Sequence, residues 1–145
     1  MALMNTEETQ EAPAREAYYA IVPEAIEASG RSLNIVFGDR LCDAAIAKLK
    51  APDAWRTMTV KELQKLLRDQ CAGQDGYLSP QQPVLETVFR LLLTAPAGKL
   101  TLAQVHRQVA ELWMTSPWPR HISGESLERL LDNGISYGIV RVEGD

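Results

Sequence analysis

Three times in this chain a Ser or Thr stands three residues ahead of a Glu or Gln at the head of an apolar run. The three are Thr59-Val-Lys-Glu62, Ser79-Pro-Gln-Gln82 and Thr101-Leu-Ala-Gln104. At this spacing the hydroxyl accepts from the amide three residues on while the longer side chain reaches back. Amides that a helix start leaves unpaired are thereby satisfied. Each box leads into apolar residues at helical spacing. The first carries Val60, Leu63, Leu66 and Leu67, and the second Val84, Leu85, Val88, Phe89, Leu92 and Leu93. The third carries Leu102, Val105, Val109, Leu112 and Trp113. Pro80 takes the favoured first helical position of the second, and Pro83 falls within the same first turn. Ser123 heads a further helix with Leu127, Leu130 and Leu131, ended by Gly134. Asp39, after Gly38, is expected to cap another, with Cys42, Ala45, Ile46 and Leu49 on its buried side. A chain so punctuated must bury helix faces against one another, and the expectation is a mainly α protein.

The remaining stretches are read with the same rules. Residues 1–14 are polar and acidic and read as a tail. Ala17, Tyr18, Ile21 and Ile26 predict a helix over 15–29, broken or restarted at Pro23 and closed by Gly30. Residues 32–37 predict a short strand or an extended connector. Residues 135–142 alternate loosely and predict a strand with a turn at Gly138. Lys48-Leu-Lys-Ala-Pro52 followed by Met58-Thr-Val-Lys-Glu-Leu63 is echoed by Leu92-Leu-Thr-Ala-Pro96 followed by Leu100-Thr-Leu-Ala-Gln-Val105. The echo fits a duplicated helical unit, and equally the general likeness of capped amphipathic helices.

From Val84 onward the order is helix, a short Lys99-Leu-Thr101 strand, helix, loop, helix and strand. Phe89-Arg-Leu-Leu-Leu93, Leu100-Thr-Leu-Ala-Gln-Val105 and Ser123-Gly-Glu-Ser-Leu-Glu-Arg-Leu-Leu-Asp-Asn-Gly-Ile135 carry a likeness. Over about 60 residues this region resembles the winged-helix superfamily. The resemblance implies a last helix ending at Gly134 and a hydrophobic strand opening a wing at Ile135. It departs from the pattern in the long 114–122 connection and in the short stretch left for a wing. The expected organisation is a tail (1–14), a helical segment (15–78) and a winged-helix-like unit with a small β element (79–145). An all-α bundle or a two-unit helical repeat is the alternative.

Winged-helix units serve both as DNA readers and as protein-docking modules. For DNA, the helix opened by Ser123 would enter the major groove, with Arg120, Ser126, Arg129 and Asn133 as the contacts. Charge argues against that use. Residues 81–145 hold six cations (Arg90, Lys99, Arg107, Arg120, Arg129, Arg141) against seven anions (Glu86, Glu111, Glu125, Glu128, Asp132, Glu143, Asp145), net −1. The whole chain is −4. Phosphate neutralisation supplies most non-specific affinity, and these surfaces offer little of it.

Trp113-Met-Thr-Ser-Pro-Trp-Pro-Arg-His121 is the most unusual stretch. Trp118 lies between Pro117 and Pro119, which stiffen the backbone and cut the entropy lost on docking. Either Trp118 folds back to close the core, the favoured reading because large aromatics bury where they are able, or it stands out as an interface anchor. Trp113 and Trp55 read as core. For a protein contact the candidates are Trp118, Arg120 and His121, with Tyr137 on the last strand.

No nucleotide-binding glycine motif, nucleophile elbow or H-E-x-x-H is present. His106 reads as a solvated residue on a polar helix face. A zinc site from Cys42, Cys71, His106 and His121 would draw scattered ligands with no close pair, so no metal or other cofactor is expected. The two cysteines read as buried free thiols. The run over 84–93 is interrupted by Glu86 and Arg90 and is too short to span a bilayer. The first residues lack an apolar leader segment, so a cytoplasmic location is expected. The sequence therefore points to a non-enzymatic protein–protein recognition module, a homodimer or a regulatory subunit. A small DNA-binding regulator is the alternative.

Overall fold

The computed structural model describes residues 17–143, so the tail expected over 1–14 lies outside the described residues. In chain order the elements begin with strand β1 (Tyr18–Ile21) and helices α1 (Pro23–Ala28), α2 (Leu33–Gly38), α3 (Asp43–Ala47), α4 (Val60–Gln70) and α5 (Val84–Leu93). Strand β2 (Leu100–Thr101), helices α6 (Leu102–Trp113) and α7 (Gly124–Asp132), and strand β3 (Ile139–Val142) follow. Short 3₁₀ turns occupy Ala54–Thr57 and Ile135–Tyr137. The protein is mainly helical with a small antiparallel sheet. Among the described residues, no helix is long and apolar enough to cross a membrane.

Two of the three boxes open helices as predicted. Thr59 and Glu62 cap α4 reciprocally, and Thr101 and Gln104 do the same for α6. At the third box, Gln82 Oε1 accepts from the Ser79 amide and Ser79 Oγ from the Gln81 amide, but residues 79–82 form a turn. The helix starts only at Val84, with Pro83 as its cap. Pro83 disfavours helical geometry at Gln82 and has no N–H to return to Ser79, so the turn cannot propagate.

Four other expectations are corrected. Residues 18–21 form a strand rather than helix. Tyr-Tyr-Ala-Ile is β-prone, Pro23 keeps Val22 extended, and β1 finds partners on both sides. Residues 32–37 fall in a helical turn instead of a strand, because Ser32 caps α2 and Val36 and Phe37 bury on one side. Asp39 is the C-cap of that helix and not the N-cap of the next, which begins at Asp43 after Cys42. Residues 135–137 form a 3₁₀ turn, so the last strand begins at Ile139. The turn at Gly138 is present with φ +77°. A side chain there would be strained, and a Cβ would lie 2.7 Å from Ile26 Cγ1.

The sheet order is β2-β1-β3. Tyr18 lies opposite Thr101 on one side and Val142 on the other, and Ile21 pairs with Ile139. The buried side chains of the described residues form a shared core. It draws on Tyr19 of β1, Phe37, Leu63, Leu67, Phe89, Leu92, Val105, Val109, Leu127, Leu131 and Ile139. Phe37 and Phe89 meet edge to face at 6.2 Å. The tyrosine hydroxyl of the central strand is used too: Tyr19 Oη donates to Asp132 Oδ1 of α7 at 2.9 Å. Burial and that carboxylate together push the Tyr19 phenol well above its ordinary pKa.

Candidate interaction site

Helix α6 delivers the site because its cap fixes its phase. Val105, Val109 and Trp113 face the core, while His106 and Ala110 lie on the neighbouring stripe. After Trp113 the chain leaves the helix through amides of Met114, Thr115 and Ser116 that bond back to Ala110, Leu112 and Trp113. The Trp118 amide donates to Ser116 Oγ at 3.1 Å. Pro117 and Pro119 then flank an indole that is 84% exposed. Closure of the core by Trp118, the favoured expectation, is therefore corrected. The core position on this side is taken by Trp113, only 3% exposed.

The loop is pinned beyond Trp118 at two points. Arg120 Nη2 donates to the carbonyls of Pro80 and Gln82 at 3.0 and 2.8 Å, and its guanidinium lies 4.1 Å from the Trp113 ring centroid. Further on, His106 Nε2 contacts the Ile122 carbonyl at 2.8 Å. His106 is thus half-buried and bonded rather than solvated. A cavity of about 70 Å³ lies between helix and loop, lined by His106, Ala110, Trp113, Met114, His121 and Ile122. Met114 is 71% exposed at its edge. The buried Trp113 Nε1 has no hydrogen-bond acceptor among the described residues.

Trp118, Arg120 and His121 share this loop as sequence neighbours, but Arg120 folds onto Trp113 and the carbonyls of Pro80 and Gln82, His121 lines the cavity, and Trp118 is not part of that lining. Tyr137 belongs to the 3₁₀ turn after α7 and not to the last strand, and its half-buried ring packs on Phe89 at 5.4 Å. Met114 is not singled out by the sequence, and His106 reads there as a solvated residue rather than a contact. The i, i+4, i+7 spacing of His106, Ala110 and Trp113 was the available signal.

The face proposed for nucleic acid is differently arranged. Ser126 bonds through its amide to Ser123 Oγ and through its hydroxyl to Arg129 Nη2 at 3.3 Å. Asn133 caps the end of α7, donating to the Arg129 carbonyl at 2.8 Å. Arg141 reaches across from β3 and is held by Glu128 and Asp132, each at 2.9 Å. Of the cations on or facing this helix, Arg129 alone is not tied to a carboxylate or a main-chain carbonyl in the described residues. The chain matches no protein-family model, no curated protein and no solved structure.

Proposed function

We propose that the chain is a non-enzymatic interaction module that recognises another protein, a second copy of itself included, through the 114–122 loop. The observation that carries this reading is Trp118, 84% exposed on a backbone stiffened by two prolines. Leaving an indole in water forgoes about 2–3 kcal/mol of burial, and a pinned loop loses little entropy when that indole docks. Interface anchors combine these two properties, with Arg among the neighbours they favour. The helix–strand–helix–helix–strand order of α5, β2, α6, α7 and β3 supports a winged-helix-like arrangement in the C-terminal half, with β1 of the N-terminal segment as the middle strand of its sheet. The Arg141 pairing and the carboxylates Glu125, Glu128 and Asp132 on α7 favour protein over duplex DNA as its target.

The test compares proteins captured by the full chain, by Trp118→Ala and by Ile35→Ala, the last altering an exposed apolar residue on α2. A partner held by wild type and Ile35→Ala and lost from Trp118→Ala supports the reading, as does self-association that shows the same dependence. Capture indifferent to Trp118 counts against it. So does binding of a mixed-sequence duplex that weakens steeply between about 50 and 200 mM salt and needs Arg129.

A further inference from the structure

The two cysteines are 29 residues apart, one ahead of α3 and the other at the C-cap of α4, yet the fold sets them against each other. The Cys42 amide donates to Cys71 Sγ at 3.1 Å, and the Cys42 thiol donates to the Gln70 carbonyl at 3.3 Å. Each sulfur thus lies on the other cysteine's backbone, since the Gln70 carbonyl belongs to the peptide bond that leads into Cys71. The Cys42 amide nitrogen is one covalent bond from the Cys42 Cα, so Cys71 Sγ, 3.1 Å from that nitrogen, lies close to the carbon that carries the Cys42 side chain. Turning the Cys42 side chain off the Gln70 carbonyl would carry its sulfur toward Cys71 Sγ, which already touches the Cys42 main chain, and a disulfide then requires a Cα separation of about 4.4–6.8 Å.

The two thiols differ in access. Cys71 is fully buried, whereas Cys42 is half-buried and lines a solvent-open cavity of about 320 Å³ beside Arg40, Tyr77 and Arg90. Burial, with the adjoining Cys42 thiol, pushes the Cys71 thiol well above its ordinary value and makes it a poor first target for an oxidant.

We propose that Cys42 and Cys71 form a reversible intramolecular disulfide, with Cys42 as the peroxide-reactive sulfur and Cys71 as the resolving one. Cys42, after giving its proton to solvent, attacks one oxygen of hydrogen peroxide. An S–O bond forms, the O–O bond breaks, and the departing hydroxide is protonated to water. Cys71 then attacks the Cys42 sulfenic acid. The S–S bond forms, the S–O bond breaks, and the leaving hydroxide takes the Cys71 proton as a second water. Two thiols are oxidised and one peroxide is reduced. Dithiothreitol reverses the change by two thiol–disulfide exchanges, closing to its own cyclic disulfide.

The experiment treats the folded full chain with hydrogen peroxide, then alkylates the remaining thiols in denaturant and reads intact mass and peptide maps. Both thiols should vanish together from a monomeric species. One peptide should link positions 42 and 71, and dithiothreitol should restore both thiols. Cys71→Ala, if folded, should still oxidise at Cys42 but yield no link. The proposal is overturned if wild-type Cys42 runs on to sulfinic acid while Cys71 stays alkylatable. It is also overturned if the only disulfide joins two chains, or if neither thiol is lost at peroxide levels that oxidise free cysteine.

Discussion

Glu86 concentrates the electrostatics of the interior into one side chain. It accepts from Arg40 Nη2 at 2.7 Å and from Arg90 Nε at 2.8 Å, with all three side chains at most 20% exposed. Both arginines are also spoken for elsewhere: Arg40 donates to the Val36 carbonyl and covers Phe89, and Arg90 donates to the Tyr77 carbonyl. Burial alone would raise the Glu86 pKa, but the hydrogen bonds from Arg40 and Arg90 outweigh it and hold the carboxyl below the ordinary 4.5. A folded pKa below the unfolded one means stability that is fully present above the unfolded value and lost as pH falls through the folded value. Glu86→Gln should therefore cost about 3 kcal/mol at neutral pH, since two nearly buried cations lose their anion. Urea melts across pH should show the gap to wild type narrowing below about 4.5. A gap independent of pH would mean that the ion pair contributes nothing of the loss.

At the scale of elements, the capping boxes differ in what depends on them. Thr59 is exposed and serves only its helix, whereas Thr101 is 6% exposed, caps α6 and lies opposite Tyr18 in the sheet. Thr59→Ala is expected to cost about 1 kcal/mol and Thr101→Ala about 2 kcal/mol. Chemical denaturation midpoints check both. Equal losses would show that the cap alone matters at position 101. These two boxes were legible because a cap is local chemistry, with donor and acceptor three residues apart. The Ser79 box contained the same local signal and misled, because Pro83 vetoed the continuation. Short segments were legible least. Four or six residues carry too little periodicity to separate the strand at 18–21 from the helix at 33–38.

For the whole molecule the governing fact is that β1 lies between β2 and β3, which bond to it and not to each other. Its Tyr19 is fully buried and tied to α7. A chain lacking residues 1–21 should lose the sheet and a central part of the core, and melt without cooperativity by far-UV circular dichroism. A sharp melt with dispersed amide resonances would show that the later elements close a core without β1.

What the sequence determined by itself was local. Helices opened by Thr59, Thr101 and Ser123, the helix start at Pro23, the turn at Gly138 and the burial of Trp113 all follow from neighbours within one or two turns. Tertiary structure alone decided the rest. Trp118 stands in solvent while Trp113, five residues earlier and of equal hydrophobicity, is buried. Tyr18–Ile21 is a strand because its partners arrive from residues 100 and 139 onward. Cys42 meets Cys71, and Arg141 meets Glu128 and Asp132, because separate elements pack together. Such contacts depend on where distant segments are brought in space, and spacing along the chain does not encode that for a reader of one sequence.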